Sequence, residues 1–160
     1  MKPKVFIDGK EGTTGIQIFE RLGKREDITL LTLAEEDRKD VDRRREKINE
    51  ADIVFLCLPD DAARESVSLV ENDRTKIIDA STAHRTHPEW VYGFPELSPE
   101  RREAIGKTKR LANPGCHATG FISIVNPLVK TGTLPEDYPL TCHSITGYSG
   151  GGKKMIAEYE

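Results

Sequence analysis

Short apolar runs alternate with amphipathic stretches along the first half of the chain. Four runs have the length and composition of buried parallel strands, at residues 5–7, 28–33, 51–58 and 76–80. Helical stretches lie between them, at residues 14–22, in a short segment that ends near 49, and at 60–70. Asp60 or Asp61 is the expected N-cap of the third helix. Because strands that alternate with helices form a parallel sheet, the pattern predicts an α/β fold with a Rossmann-like, doubly wound, mostly parallel sheet.

The middle of the chain is less regular. Prolines interrupt residues 81–111, where we expect a functional loop, then a short helix over 99–105 and a strand at 111–112. A further helix is expected over 121–128, with a break at Asn126-Pro127.

The pattern at the end of the chain is typical of the first elements of a second domain. We expect a strand over 140–145, a glycine-rich loop over 147–152 and a helix that begins at Met155. The predicted domains are therefore a dinucleotide-binding domain at 1–139, which includes the cysteine loop described below, and the first elements of an α+β domain at 140–160. Since the last helix has no C-terminal stop signal, we expect the protein to continue beyond Glu160.

Charge and composition exclude some function classes. The chain has 160 residues and a formal net charge of −3, which gives no reason to expect nucleic acid as a partner. We interpret the basic run Arg43-Arg44-Arg45 as a solvated helix face. No stretch approaches the roughly 18 apolar residues of a membrane span. The first residues run straight into a strand without a secretory leader, so we expect a cytoplasmic protein that acts on small molecules.

The three cysteines are expected to be free thiols, because their number is odd and their spacing fits no metal site. Cys57 lies in an apolar run and is interpreted as a small buried hydrophobic residue. Cys142 lies in a predicted strand and is interpreted as a core or interface thiol. The four histidines show no metal-ligand spacing, and we predict no metal site.

A glycine-rich turn follows the first strand and opens the first helix. Its sequence, Gly9-Lys10-Glu11-Gly12-Thr13-Thr14-Gly15, allows backbone N–H groups to approach a pyrophosphate at the helix N-terminus. The spacing differs from the usual G-x-G-x-x-G, so a turn without a ligand remains the alternative. After the second strand, Arg38 and Lys39 are candidates for binding a ribose 2′-phosphate, and solvated surface charge is their alternative role.

The loop after the fourth strand carries a second candidate. It reads Asp79-Ala80-Ser81-Thr82-Ala83-His84-Arg85 and leaves the carboxyl end of the strand, where ligands collect in open α/β sheets. Arg85 has the forked geometry that suits a phosphate or carboxylate. The alternative is a structural arginine that binds loop carbonyls.

Asn113-Pro114-Gly115-Cys116 predicts a tight turn that leads into a helix. A thiol at a helix N-terminus lies near the positive end of the helix dipole, and both the dipole and the free N–H groups favour the thiolate. The same N–H groups are able to hold an oxyanion when the sulfur attacks a carbonyl. His117 follows directly and is a poor candidate for the base, whereas His143 is a weak one.

These motifs resemble the N-acetyl-γ-glutamyl-phosphate reductase family in its shorter form. The resemblance covers essentially the whole chain and is carried by six motifs in order: residues 6–15, 56–60, 79–85, 92–97, 113–116 and 147–153. Aspartate-semialdehyde dehydrogenases share the expected architecture and thiol chemistry but fit the motifs less well.

The resemblance implies an NADP(H)-dependent reduction of an acyl phosphate to an aldehyde through a cysteine thioester, within arginine biosynthesis. It implies that Cys116 is the nucleophile and that Arg85 and Asn113 bind the substrate. The cofactor residues it implies are Gly9, Gly12, Thr13, Thr14, Gly15, Ser149, Gly150 and Gly151. The residue pattern adds Arg38 to them as a candidate.

Two features depart from the family. The cysteine is followed by His117-Ala118, where the family often has Tyr-Pro. The family is also longer, and its second domain supplies the catalytic histidine, much of the substrate pocket and the interface of a homo-oligomer. We therefore expect this chain alone to be nearly inactive and to expose apolar surface. The alternatives are an NADP(H)-binding module without catalysis, an enzyme acting on aspartyl phosphate, and a thiol enzyme without a nucleotide.

Overall fold

The computed structural model describes residues 1–10, 12–148 and 152–160. Its centre is a six-stranded sheet in the order β2-β1-β3-β4-β6-β5, and every pair is parallel. The strands are β1 (Lys4–Asp8), β2 (Thr29–Leu31), β3 (Ile53–Leu56), β4 (Lys76–Asp79), β5 (Val91–Tyr92) and β6 (Arg110–Ala112). The predicted α/β class and parallel sheet are confirmed.

Six α-helices lie within the described residues and accompany the sheet. They are α1 (Thr13–Gly23), α2 (Val41–Glu50), α3 (Asp60–Ser68), α4 (Pro99–Lys107), α5 (Cys116–Lys130) and α6 (Gly152–Tyr159). Short 3₁₀ helices lie at Glu36–Lys39 and Pro95–Leu97. No helix in the described ranges is long and apolar enough to cross a membrane.

Side-chain caps fix two helix starts. The Asp40 carboxylate accepts hydrogen bonds from the amides of Asp42 and Arg43, and it caps α2. Ser98 caps α4 in the same way, with Pro99 in the first turn.

The main core lies between β1, β3 and β4 and the helices α2 and α3. Phe6, Val54, Leu56 and Ile77 are at most 2% exposed and belong to one apolar cluster with Ile48 of α2. The strand order changes direction at β1, because β2 is added on one side of it and β3 on the other. The crevice beyond the carboxyl ends of β1 and β3 is therefore a topological switch point, where ligands bind in open α/β sheets.

Some local predictions were wrong. Residues 140–145 form no strand, and Cys142 is exposed, so it is not a core thiol and its interface role stays a prediction. Pro127 does not break α5, because the helix continues to Lys130 and the Pro127 carbonyl accepts the amide of Thr131.

The predicted cap of α3 was also wrong. Pro59 holds the N-cap position without a side-chain hydrogen bond, and the Asp60 carboxylate instead accepts the amide and the hydroxyl of Thr82. These bonds lower the pKa of Asp60. Asp60 thus joins the loop after β3 to the loop after β4.

Candidate active site

Cys116 is the first residue of α5, and its thiol is exposed. Gly115 is the N-cap, and β6 ends at Ala112, so the thiol lies just beyond the carboxyl edge of the sheet. The first amides of a helix have no hydrogen-bond partner within that helix. They point out of its N-terminal end, towards any ligand that binds there. The predicted turn before the helix is therefore present.

The glycine turn occupies the same edge, between β1 and α1. Gly9 has a φ of +86°, and a Cβ there would lie 2.4 Å from the Cys57 carbonyl oxygen. A Cβ on Gly15 would lie 2.3 Å from the Gly9 carbonyl oxygen. These two positions need glycine for the turn itself.

Gly12 is different. A Cβ there would meet the Cys57 and Gly9 carbonyl oxygens at 3.6 Å, an ordinary contact distance. Packing within the protein therefore does not require glycine at this position. Close approach of a ligand to the backbone would require it, because a side chain would then be in the way. Gly12 is the N-cap of α1, which Thr13 and Thr14 open, so the turn fits the pyrophosphate of a dinucleotide.

A cavity of about 340 Å³ adjoins the turn. The ends of β1 and β2 form its floor, and the 3₁₀ helix Glu36–Lys39 brings Arg38 and Lys39 to its wall. Arg38 also forms an ion pair with Glu35, at 2.8 Å. The two basic side chains and the glycine turn thus border one space of a size that suits part of a nucleotide.

Under this cavity lies a buried ion pair that sequence reasoning missed. Arg44 is 6% exposed, not part of a solvated face, and its Nη2 lies 3.2 Å from the Asp8 carboxylate. Ser66 donates to the same carboxylate at 2.7 Å, and Glu65 accepts from Arg44 at 2.7 Å. Burial lowers the pKa of Arg44, but the bonds to Glu65 and Asp8 outweigh it and the pKa is raised.

The loop after β4 is built on a second buried carboxylate that was also missed. Asp79 is fully buried and accepts hydrogen bonds from the Ser81 amide and hydroxyl at 2.9 and 2.8 Å. The Nδ1 atom of His84 lies 2.6 Å from it. The signal in the sequence was the short polar run directly after a buried strand.

Arg85 contacts the cysteine turn. Its Nε donates to the Asn113 carbonyl at 3.1 Å, and its Nη2 donates to the Ala80 carbonyl at 3.2 Å. The structure therefore brings Arg85, Asn113 and Cys116 together, with hydrogen bonds of the kind expected for a structural arginine. The Asn113 side chain is exposed and donates to the Pro114 carbonyl.

A second cavity, of about 710 Å³, lies beside Cys116. Cys116 and His117 line it from α5, and His143 lines it from the segment 140–147. The Nδ1 atom of His117 is hydrogen-bonded to the Ser144 hydroxyl. His143 and Cys116 thus border one space.

Cys57 lies at the switch point and is half-buried rather than fully buried as predicted, and its thiol is not a reactive group. Burial raises the pKa of its thiol to about 11, and the charges of Asp8 and Asp79 contribute to the shift. Ser149, Gly150 and Gly151, which were predicted near the cofactor, lie outside the described residues.

Comparisons with known proteins agree with this arrangement. Residues 4–105 match the family model of the semialdehyde dehydrogenase NAD-binding domain, and residues 116–160 match that of the semialdehyde dehydrogenase dimerisation domain. The chain belongs to the semialdehyde dehydrogenase family.

No group of three or more metal-binding side chains occurs among the described residues.

Within that family the chain is similar to reductases of one kind. It is 58% identical to the N-acetyl-gamma-glutamyl-phosphate reductase of Chelativorans sp. (strain BNC1) over 100% of this chain and 52% of the relative. It is 54% identical to the enzyme of the same name from Trichormus variabilis, over 99% and 49%. The chain thus spans about half the length of these curated relatives, and the predicted resemblance is confirmed.

Solved structures share the fold. An aspartate semialdehyde dehydrogenase II from Vibrio cholerae has a TM-score of 0.68 at 17% identity, over 99% of this chain and 50% of that one. The aspartate semialdehyde dehydrogenase with NADP from Candida albicans has a TM-score of 0.57 at 17% identity, over 82% and 48%. At this identity the likeness concerns the fold alone.

Proposed function

We propose that this chain carries the cofactor site and the nucleophile for the NADPH-dependent reduction of N-acetyl-γ-glutamyl phosphate to N-acetyl-glutamate semialdehyde, in arginine biosynthesis. The observation that carries the proposal is the placement of an exposed thiol, Cys116, at the N-terminus of α5 on the same sheet edge as the glycine turn. The similarity to reductases of this name supports the choice of substrate.

The first step uses groups of this chain. The Cys116 thiolate attacks the acyl carbon, the bond from that carbon to the phosphate oxygen breaks, and phosphate leaves with the electron pair. A thioester forms on Cys116. The amides of the first turn of α5 are placed to hold the oxyanion that develops during the attack.

When held at the glycine turn that Gly9, Gly12 and Gly15 shape, NADPH would supply the hydride that the thioester carbon accepts. When the carbon–sulfur bond then breaks, the aldehyde leaves and Cys116 regains its thiolate. The acid/base group that moves protons is proposed to lie outside residues 1–160, because none of the four histidines matches the family's position. A general base contributes typically 10²–10⁴-fold, so this chain alone is expected to turn over slowly.

The cofactor residues are proposed from the geometry of the turn and cavity. Gly9, Gly12 and Gly15 shape the pyrophosphate site, with Thr13 and Thr14 at the start of α1. Arg38 is proposed to bind the 2′-phosphate that distinguishes NADP from NAD, since it lines the adjoining cavity. Ser149, Gly150 and Gly151 are proposed to approach the nicotinamide.

Residues 116–160 are proposed to take part in a homo-oligomer. The match to a dimerisation-domain model supports this, and so does the apolar side of α5, where Phe121, Ile124 and Leu128 are exposed. Cytoplasmic localisation is proposed as well, in keeping with free thiols and a biosynthetic reaction.

The test is phosphate-dependent oxidation of N-acetyl-glutamate semialdehyde, followed as NADPH formation, with the full chain as its gene encodes it. Cys116→Ser should lower kcat by on the order of 10⁴-fold or more, as for other nucleophile replacements. Cys142→Ser is the matched control, because Cys142 is an exposed thiol that lines the same cavity as Cys116 but does not lie at a helix N-terminus.

Three other results would replace the proposal. Oxidation of aspartate semialdehyde in preference to the N-acetylated substrate would make this an enzyme of aspartyl phosphate. NADPH binding without turnover, and without acylation of Cys116, would make it a binding module. Turnover of the acyl phosphate without added nucleotide, undiminished in Gly12→Val, would show that the thiol works without a nucleotide.

A further inference from the structure

The charged side chains of the cavity beside the glycine turn are mainly basic. Asp8 is the only acid among the described residues that border this cavity. It is the last residue of β1 and directly precedes Gly9, so its carboxylate lies close to where the turn would hold a pyrophosphate. An unpaired carboxylate would repel such a ligand, and an acid at this place therefore needs a reason. The basic residues of the cavity are Lys10, Arg38, Lys39 and Arg44.

Asp8 joins the start of the glycine turn to three other parts of the fold. Its Oδ2 atom accepts hydrogen bonds from Nε and Nη2 of Arg44 in α2, at 3.3 and 3.2 Å. The same oxygen accepts the hydroxyl of Ser66 in α3, at 2.7 Å. The Asp8 carbonyl accepts the amide of Cys57, directly after β3, at 2.8 Å. Asp8 thus fixes the end of β1 against α2, α3 and the loop after β3, which gives its carboxylate a structural reason.

Arg44 supplies the charge that balances this carboxylate. Asp8 and Arg44 are 5% and 6% exposed, so water screens their charges little, and either charge alone would act strongly on the adjoining cavity. Each of the three guanidinium nitrogens donates to a protein acceptor, since Nη1 bonds to Glu65 at 2.7 Å. Glu65 is half exposed and does not line the cavity. On the side of the cavity, the charges of Asp8 and Arg44 thus cancel.

We propose that Arg44 is a positioning residue for the cofactor, which acts by cancelling the charge of Asp8. The Asp8 carboxylate holds the glycine turn against α2 and α3, and Arg44 removes the repulsion that this carboxylate would otherwise exert on the phosphates of a dinucleotide. Arg44 acts through Asp8 and without a phosphate contact of its own, in contrast to the role proposed for Arg38. The inference rests on the proposed function for the identity of the nucleotide, NADPH.

The experiment measures the dissociation constant of NADPH by isothermal titration calorimetry, with the full chain as its gene encodes it. Arg44→Gln removes the cation, Arg44→Lys keeps it, and Asp8→Asn removes the anion. The double variant Arg44→Gln/Asp8→Asn removes both charges. Arg74→Gln is the matched control, because Arg74 also pairs with an aspartate, Asp52 at 3.1 Å, but just before β4, at the amino edge of the sheet. A second readout is the division of the kinetic effect between kcat and the KM of NADPH.

Arg44→Gln should raise the dissociation constant of NADPH on the order of tenfold, because it leaves Asp8 negative beside the phosphates. The KM of NADPH should rise with it, while kcat at saturating NADPH stays unchanged. Arg44→Lys should bind NADPH nearly as well as the wild type, since the cation remains. The double variant should regain most of the lost affinity, because neither charge is left. Asp8→Asn alone should bind NADPH more tightly, and Arg74→Gln should match the wild type.

Urea titration shows whether each variant is folded, and Asp8→Asn decides the question if Arg44→Gln does not fold. Equal losses of NADPH affinity in Arg44→Gln, Arg44→Lys and the double variant would overturn the proposal, because the cluster would then act by its shape and not by its charge. An unchanged dissociation constant in Arg44→Gln would overturn it too, and so would weaker binding to Asp8→Asn.

The proposed function is tested separately. If the wild type binds NADPH but lacks reductase activity, the proposed function fails, while the dissociation constants still decide the role of Arg44. Absence of NADPH binding to the wild type would overturn both.

Discussion

The two parts of the site are held in place in different ways. The glycine turn rests on β1 and β3, whose inner side chains Phe6, Val54 and Leu56 are almost fully buried. The helix that begins with Cys116 has no buried residue, and Ile124 on it is 69% exposed. The glycine turn is therefore positioned by a hydrophobic core, whereas Cys116 is positioned by polar contacts of the preceding turn. Substitutions should accordingly cost far more stability on the first side than on the second.

The largest loss of stability is expected from Gly9→Ala. Alanine at a φ of +86° is strained, and its Cβ would lie 2.4 Å from the Cys57 carbonyl oxygen. Strain and overpacking together should lower the free energy of unfolding by about 4 kcal/mol in urea titrations.

Gly23→Ala at the end of α1 is the matched control, because a Cβ there meets no atom within 4 Å. It should leave the free energy of unfolding unchanged or raise it slightly. Similar losses in both variants would mean that the turn at Gly9 is not constrained by the residues that follow β3.

The next largest effect is expected from Asp8→Ala. This substitution leaves the buried Arg44 cation with only Glu65, which is half exposed, and Ser66 as side-chain partners. Removing one member of a buried pair should cost about 3 kcal/mol of unfolding free energy.

Asp27→Ala provides the contrast. The hydrogen bond from Arg25 lowers the pKa of Asp27 to about 2, yet both side chains are exposed and water screens the pair. No measurable change in stability is expected there. A loss comparable to that of Asp8→Ala would show that ion pairing, and not burial, decides the effect.

The sequence predicted the sheet well because its strands are short apolar runs between helices. It missed β5, since Val91–Tyr92 is too short to show any periodicity. It predicted a strand at 140–145 from β-forming residues, but strand structure needs a pairing partner, and the described residues provide none there.

Prediction of the candidate site from the sequence is limited in the same way, because contacts between distant residues leave no local pattern. Motif spacing identified the glycine turn and Cys116, because both depend on neighbours in the sequence. The burial of Arg44 depends on Asp8, 36 residues away, and the contact of Arg85 depends on Asn113, 28 residues away. Charge along the chain does not reveal such partners, and it therefore predicts a surface position for Arg44.

A smaller, pH-dependent effect is expected from Cys57. Its folded-state pKa of about 11 lies above the ordinary value of 9.0, so the folded state holds the proton more tightly. This contribution to stability is complete below pH 9 and is lost as the pH rises towards 11, by about 2 kcal/mol.

Measuring the free energy of unfolding of the wild type and of Cys57→Ala between pH 8 and 11.5 isolates the contribution, because other groups titrate in both proteins. The difference between the two proteins should shrink or reverse as the pH rises. A constant difference would indicate that the thiol is accessible to water.

The smallest effect on stability is expected on α5. Ile124→Glu should change the unfolding free energy by no more than about 0.5 kcal/mol, because the side chain is mostly exposed in this chain. The same substitution should reduce self-association, measured by analytical ultracentrifugation, since it places a charge on an apolar surface. Ser123→Glu, which adds the same charge at a neighbouring exposed polar position, should reduce association less. A large loss of stability in Ile124→Glu would instead mean that α5 packs against the rest of this chain, and the contrast between the two parts of the site would disappear.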